Sequence, residues 1–360
     1  MVRKSGTAQQ PPATENQSEG GAQADVLWEY YRRMSLIRNF ELRAEEMYKK
    51  AKIGGYCHLN LGEEATVVGL MAALRKTDYL YANYRVHGYA LMRGLDPGRV
   101  MAELFGKADG VSGGWGGSMH LFDVGARLMG GYGIVGGQIP PATGAAYALA
   151  YRQEPGPDAE AVMCLLGDGT TAIGAFHESL NIAALWKLPI VYVIIDNGLG
   201  MGTTVEHSSA EPLLYKRGSA YRMPSQRVDG NDPVAVRKAA EEALRLAREE
   251  RQPYLLETIS YRLKGHSVVD PARYRTKAEV AELKVHDPLP AFRVQLLQEG
   301  IMAEDQAKAI EAEAEEIVDA AVAFADAAPF PQLSGLFGNA YATKVPNAPH
   351  QLPGDPVITL

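Results

Sequence analysis

Three short apolar runs limit the fold more than any other feature: Ala161–Leu166, Pro189–Ile195 and Tyr254–Ile259. None alternates apolar with polar side chains, so none suits a strand with one face in water. Each reads as a strand covered on both sides, the habit of parallel sheets. Helical stretches fall between and before them, at Pro141–Tyr151, Phe176–Lys187 and Pro233–Arg248. Strands alternating with helices in this way predict an α/β fold, a parallel sheet wrapped by helices on both faces.

Upstream, Leu27, Tyr30, Met34, Ile37, Ala44, Tyr48 and Ala51 recur at helical spacing after a candidate N-cap, Asp25. Further helices are expected over Glu63–Lys76 and over Pro97–Phe105, where proline occupies the one helical position that tolerates it. A charged helix, Glu304–Phe324, closes the core. Residues 1–24 contain almost no large apolar side chain and are expected to form a disordered tail. One domain is expected over 25–330, and residues 331–360, rich in Pro, Asn and Gly, are expected to form an extended surface segment.

The charge balance, 36 basic against 43 acidic residues, is mildly acidic, and no basic run points to nucleic acid. No apolar stretch approaches the ~20 residues that span a bilayer. The N-terminus Met1-Val2-Arg3-Lys4 lacks the apolar region of a secretory signal. Two cysteines, Cys57 and Cys164, far apart and without metal-ligand spacing, fit buried thiols in a reduced cytoplasmic protein.

Twelve glycines lie between Gly106 and Gly137, too many for a turn, among too many aromatics for a linker. Such density suggests backbone lying close to a ligand or another chain; a floppy surface loop is the alternative.

The residues with most chemical content are Gly167-Asp168-Gly169, at the end of one expected strand, and Asn197, at the end of the next. Twenty-seven residues separate Gly169 from Asn197, enough for one crossover helix and its return strand. Ligands of open parallel sheets bind beyond the carboxyl ends of the strands, so Asp168 and Asn197 should emerge side by side. A carboxylate and an amide oxygen are hard donors suited to Mg²⁺ or Ca²⁺. The N–H groups of Gly169 and Thr170, opening the following helix, can hold a phosphate. Together they suit a metal-bound diphosphate. Taken alone, Gly-Asp-Gly could equally be a turn.

The Gly-Asp-Gly and distal Asn pair resembles the thiamine pyrophosphate motif. Longer segments narrow the likeness: Ala183–Pro189, Gly200–Glu206, Gly117-Ser118-Met119-His120, Gly133-Ile134-Val135-Gly136 and Tyr215-Lys216-Arg217-Gly218. From about Tyr30 to Asp326 the chain resembles the alpha subunits of the thiamine-pyrophosphate-dependent 2-oxo acid dehydrogenase family, the pyruvate dehydrogenases above all.

The resemblance implies a thiamine pyrophosphate-binding fold, with thiamine pyrophosphate and magnesium as cofactors. Asp168, Asn197 and the carbonyl of Leu199 would ligate the metal. Gly169, Thr170, Tyr84 and Arg85 would meet the diphosphate, and Gly133 and Val135 the aminopyrimidine. His58 and His266 match family histidines near the reacting carbon and would be the catalytic pair, with His266 also touching cofactor; read from the residues alone, either could be structural. His87 and His120 are open between supporting the site and holding the fold. Arg262, Tyr274 and Arg275 would order the His266 loop. Three departures stand out: Ala172 replaces an Asn of many relatives, implying weaker cofactor binding, Leu199 replaces an aromatic, which is harmless where only its carbonyl binds metal, and Lys264 replaces a histidine of some.

The implied reaction is oxidative decarboxylation of a 2-oxo acid, pyruvate first, with branched-chain 2-oxo acids and acetoin as alternatives, and acyl transfer to the lipoyl domain of a dihydrolipoyl acyltransferase. The family's activating glutamate lies on a beta subunit, which implies an alpha2-beta2 heterotetramer with Gly106–Gly137 lining the shared site. A non-catalytic scaffold that kept the fold is the reading from another class.

Overall fold

The computed structural model describes the backbone of residues 15–335 and the side chains of residues 24–335. Helix α1 (Glu15–Lys49) and α2 (Glu64–Ala73) lead into strand β1 (Tyr79–Asn83). Helices α3 (His87–Met92) and α4 (Pro97–Leu104) precede the glycine-rich stretch and β2 (Leu128–Tyr132). Regular crossovers follow: α5 (Ile139–Arg152), β3 (Val162–Gly167), α6 (Gly174–Trp186) and β4 (Ile190–Asp196). A short antiparallel hairpin, β5 (Leu199–Gly200) and β6 (Thr203–Thr204), and α7 (Val205–Ser208) come before β7 (Ser225–Asp229), α8 (Pro233–Glu249) and β8 (Tyr254–Ile259). Helices α9 (Lys277–Leu283), α10 (Pro288–Gln298) and α11 (Glu304–Ala327) end the domain.

Six strands form one parallel sheet in the order β2-β1-β3-β4-β8-β7. Its two faces are both dry. Met163, Leu165, Val191, Val193 and Leu256 join one core with α1, α2, α4, α8 and α11. Val162, Cys164, Leu166, Ile190, Tyr192, Ile194 and Leu255 join a second core with α5 and α6. Apolar layers on both sides explain why the three central runs show no alternation. Both cysteines are free and buried, and burial pushes the Cys57 thiol up to about 12. Among the described residues, no helix is long and apolar enough to cross a membrane.

Several helix starts follow local chemistry. Asp96 accepts from Arg99 N ahead of Pro97, and Asp232 accepts from Val234 N and Ala235 N ahead of Pro233. The first helix departs from expectation. It begins at Glu15 rather than at Asp25, entering the stretch expected to be a tail. Nucleation is the costly step of helix formation, and a helix packed from Leu27 onward extends upstream one bond per residue. Residues 1–14 lie outside the described residues, as do 336–360, most of the expected C-terminal segment; before them, Leu333–Gly335 form a single 3₁₀ turn.

The chain leaves β1 for β2 on one side and returns to place β3 on the other. Connections therefore diverge between β1 and β3, and a crevice opens outside the carboxyl ends of those strands.

Candidate active site

That crevice contains a cavity of about 660 Å³. Its walls include the residues that follow β1 (Tyr84, Arg85), β2 (Gly133, Ile134, Val135), β3 (Asp168, Gly169, Thr170) and β4 (Asn197, Leu199), together with His58, Glu63, Arg262 and His266. Every cofactor, metal and catalytic position expected from sequence lines this one space.

Each turn has a local cause. After β1, Asn83 Oδ1 accepts from Arg85 N at 2.9 Å and curls the chain toward the cavity. After β4, Asp196 Oδ1 accepts from Gly198 N at 2.9 Å, with Gly198 at φ +80°, so Asn197 sits at the tip of a tight turn. After β3, residues Asp168–Ala172 form a 3₁₀ turn, and extended Ile173 separates it from α6. The N–H groups of Gly169 and Thr170 thus open this short turn and not the long helix expected to follow them.

Register pairs Gly167 with Ile195, which sets Asp168 and Asn197 on adjacent strand tips. Both side chains carry a buried oxygen, Asp168 Oδ2 and Asn197 Oδ1, with no hydrogen-bond partner. Burial, and then the neighbouring Asp196 carboxylate, raise the Asp168 carboxyl to about 6. A buried carboxylate beside an amide oxygen, both unpaired, is a donor set matched to a hard divalent cation. A Cβ built on Gly200 would lie 3.7 Å from Asp168 Oδ2, so the hairpin that carries Leu199 leans on the carboxylate. The Leu199 carbonyl already accepts from Arg262 Nη1 at 2.9 Å, leaving it one free lone pair.

Arg85 reaches the cavity wall, yet its terminal nitrogens hold Leu59 O at 2.9 Å and His266 O at 2.6 Å. It anchors the His266 loop as well as facing the expected phosphate position, and its Nε lies 4.0 Å from Glu63 Oε1 in a buried ion pair. Asp270 completes that loop by accepting from His266 N at 2.7 Å and Tyr274 OH at 2.5 Å. Arg262 donates to Met201 O at 2.6 Å and to Tyr274 OH at 2.8 Å, and Arg275 donates to Arg262 O at 2.6 Å. The expected flanking trio does order the loop.

His58, Tyr84 and His266 form a ring cluster, with His58 centroids 4.5 Å from Tyr84 and 5.0 Å from His266. Burial, then the Arg85 charge, lower His58 to about 2 and His266 to about 4. Both imidazoles are neutral at pH 7, and the Nδ1 of each is buried without a partner. His87 lies elsewhere, in a buried relay in which Nδ1 meets Glu41 Oε2 at 2.9 Å and Nε2 meets Ser118 Oγ at 2.8 Å. His120 lines the cavity and its Nδ1 meets Gly131 O at 3.0 Å. Ala172 is exposed and does not line the cavity.

The glycine-rich stretch lines the cavity through Met119, His120 and Gly133–Val135. Its backbone closes on a carboxylate of its own chain: fully buried Glu103, in α4, accepts from Ser112, Gly114, Gly116 and Gly117 N at 2.8, 2.8, 2.7 and 3.1 Å. A Cβ at Gly110 would fall 2.3 Å from Glu103 Oε2, and Gly114 holds φ +80°. Only glycine permits that wrap. Nothing in the sequence singled out Glu103 or Glu63.

The chain matches the Dehydrogenase E1 component family over residues 32–334. It belongs to that family. Among its relatives, the pyruvate dehydrogenase E1 component subunit alpha of Rhizobium meliloti (strain 1021) is 42% identical over 308 residues, covering 85% of this chain and 87% of that protein. The corresponding subunit of Zymomonas mobilis is 42% identical over 325 residues, covering 90% of each. The chloroplastic subunit alpha-3 of Oryza sativa is 40% identical over 319 residues, covering 87% of this chain and 75% of the rice protein. The matched span contains every strand of the sheet and the whole cavity wall.

Proposed function

We propose that this chain is the decarboxylating alpha subunit of a 2-oxo acid dehydrogenase, acting on pyruvate with thiamine pyrophosphate and magnesium. The observation that carries the reading is the pair of unpartnered buried oxygens, Asp168 Oδ2 and Asn197 Oδ1, at neighbouring strand tips inside the crevice. Burying such groups unpaired is unfavourable, and a cation gripping a diphosphate relieves both.

When bound, the cofactor supplies the electron sink that lets carbon dioxide leave a 2-oxo acid. The chain's own residues bind, orient and shield. Asp168, Asn197 and the Leu199 carbonyl would hold the metal. The Gly169 and Thr170 N–H groups, with Tyr84 and Arg85, would hold the phosphates. Gly133 offers backbone and Val135 a bulky side chain where the aminopyrimidine would sit. His58 and His266, kept neutral, can each offer a proton from one ring nitrogen while accepting at the other, as general acid-base groups and stabilisers of developing negative charge.

The acyl product goes to the lipoyl domain of a dihydrolipoyl acyltransferase, and a beta subunit supplies the rest of the site in an alpha2-beta2 assembly. Supporting this, Tyr56, Ile134, Val135 and Met201 stand 50–77% exposed around the cavity. A cytoplasmic location fits two free, buried thiols.

The test is co-expression with the beta chain and assay against pyruvate, branched-chain 2-oxo acids and acetoin with an artificial electron acceptor. Pyruvate should reduce the acceptor only when both chains are present. Turnover by the isolated chain refutes the shared site, and silence with every substrate favours a scaffold.

A further inference from the structure

A buried amide-carboxylate chain behind the cavity fixes which atom Asn197 presents to the cation site. Gly88 N donates to Asn60 Oδ1 at 3.1 Å, and a backbone N–H cannot act as an acceptor. Asn60 must therefore turn Nδ2 the other way, where it meets Glu63 Oε2 at 3.0 Å and Arg85 O at 3.3 Å. Both partners accept only. The second oxygen of the same carboxylate, Glu63 Oε1, takes Asn197 Nδ2 at 2.8 Å. With its nitrogen committed there, Asn197 has only Oδ1 left, and that oxygen is the buried, unpartnered one. Amide flips are otherwise ambiguous; here a main-chain donor three links away removes the ambiguity. Asn60 is fully buried and Glu63 is 2% exposed, so the chain is held away from bulk water.

We infer that Glu63 is a positioning residue for cation binding: it locks the Asn197 amide with its oxygen toward the cavity. This rests on Asp168 and Asn197 being cation ligands. Glu63→Gln keeps shape but turns one oxygen into a donor. If that donor faces Asn60 Nδ2, two donors collide; if it faces Asn197 Nδ2, the Asn197 amide is driven to flip and presents nitrogen to the cation. Asn60→Asp in the same chain restores an acceptor opposite that donor, at the cost of the Asn60 bond to Arg85 O. The carboxylate it introduces would accept from Gly88 N and from the glutamine amide that E63Q introduces, whose oxygen then returns to Asn197.

The test titrates Mn²⁺ into the co-purified complex with the beta chain, in the presence of thiamine pyrophosphate, and counts free ion by electron paramagnetic resonance. Losing a partner that orients a metal ligand typically weakens affinity roughly 10- to 100-fold. E63Q should raise the dissociation constant at least tenfold, and N60D/E63Q should recover a measurable part of that loss. E63Q within about twofold of the parent overturns the inference, as does a double variant no better than E63Q. Should E63Q fail to assemble, N60D/E63Q is read alone: near-parental affinity supports the inference and a tenfold loss overturns it. Asp168→Asn separates the two levels: if D168N also binds Mn²⁺ normally, the cation site itself is wrong, and if it alone loses the ion, only the role of Glu63 fails.

Discussion

Replacing Glu103 by glutamine should unlock the glycine-rich loop while leaving the sheet intact. Glu103 Oε2 accepts from Ser112 N and Gly114 N, and Oε1 from Gly116 N and Gly117 N. Whichever way a glutamine amide points, two of the four N–H groups lose their acceptor and face another donor. A hydrogen bond to a charged group contributes roughly 1.5–3 kcal/mol, so the pair contributes about 3–6 kcal/mol. The loss falls on the loop, whose remaining ties are few, among them Ser112 Oγ to His120 O at 2.8 Å and Gly131 N to Leu121 O at 3.2 Å. At about 1.4 kcal/mol per factor of ten, local opening should become at least roughly a hundredfold easier. Amide hydrogen exchange with mass spectrometry reads this directly. The peptide spanning residues 112–120 should lose protection by two decades or more, while peptides from β3 and β4 stay as they are. A change under tenfold in the loop, or equal loss across the sheet, refutes the idea that one carboxylate organises this stretch.

Asp168→Ala should abolish the rise in melting temperature given by thiamine pyrophosphate with Mg²⁺; at a hundredfold excess over the dissociation constant, bound ligand stabilises the parent by about 2.7 kcal/mol. Arg262→Lys cannot serve Leu199 O, Met201 O and Tyr274 OH at once, so chemical denaturation should show a loss of about 3 kcal/mol, with faster exchange over residues 199–203; an unchanged midpoint refutes the anchor. His58 has its pKa lowered by burial and by Arg85, so the unfolded chain binds its proton first and stability falls as pH drops below 6.5. At pH 5 this penalty is about 2 kcal/mol relative to His58→Asn without cofactor, and parallel stability curves for the two proteins between pH 7 and pH 5 contradict it.

Legibility in the sequence tracks how many faces an element buries. The three strands β3, β4 and β8 are mostly apolar because helices cover both sides, with polar residues only toward the carboxyl ends of β4 and β8, and the apolar runs mark them to within a residue or so. The other three are not expected from the sequence. β2 is Leu-Met-Gly-Gly-Tyr and hides inside the glycine-rich stretch, while β7 is Ser-Gln-Arg-Val-Asp, an edge strand that pairs only with β8 and stays half exposed. β1, Tyr-Leu-Tyr-Ala-Asn, is too short to show a period. For the site, Asp168 and Asn197 are legible because strand, crossover helix and strand set their spacing. Glu63 and Glu103 are not: the Asn197 amide that Glu63 holds lies 134 residues away, and the donors that Glu103 collects, 9 to 14 residues on, are backbone groups without a side-chain signature. Glu63 looks like an acidic helix start, and Glu103 like any polar residue of a short helix. A carboxylate that collects four backbone donors leaves no periodic trace.

Buried polar groups are ordinarily paired, so the places where this fold fails to pair them carry information. Among the described residues, fourteen buried side-chain atoms lack a partner, and five of them belong to residues lining the one crevice: His58, Asp168, Asn197, Arg262 and His266. The same crevice holds two imidazoles forced neutral and a carboxyl raised by burial and by Asp196. Around its rim stand Tyr56, Ile134, Val135 and Met201, large apolar side chains left 50–77% exposed. These two irregularities differ in kind and need different remedies. The unpaired oxygens and nitrogens call for a charged, hydrogen-bonding occupant at the floor. The apolar rim calls for a surface that excludes water above it. A small polar ligand alone would leave the rim wet, and a protein partner alone would leave the floor unpaired. Concentrating both defects at one switch point of the sheet destabilises the chain by itself, which natural folds tolerate chiefly where binding returns the difference. A cofactor held on the alpha chain and covered by a second subunit satisfies both demands at once.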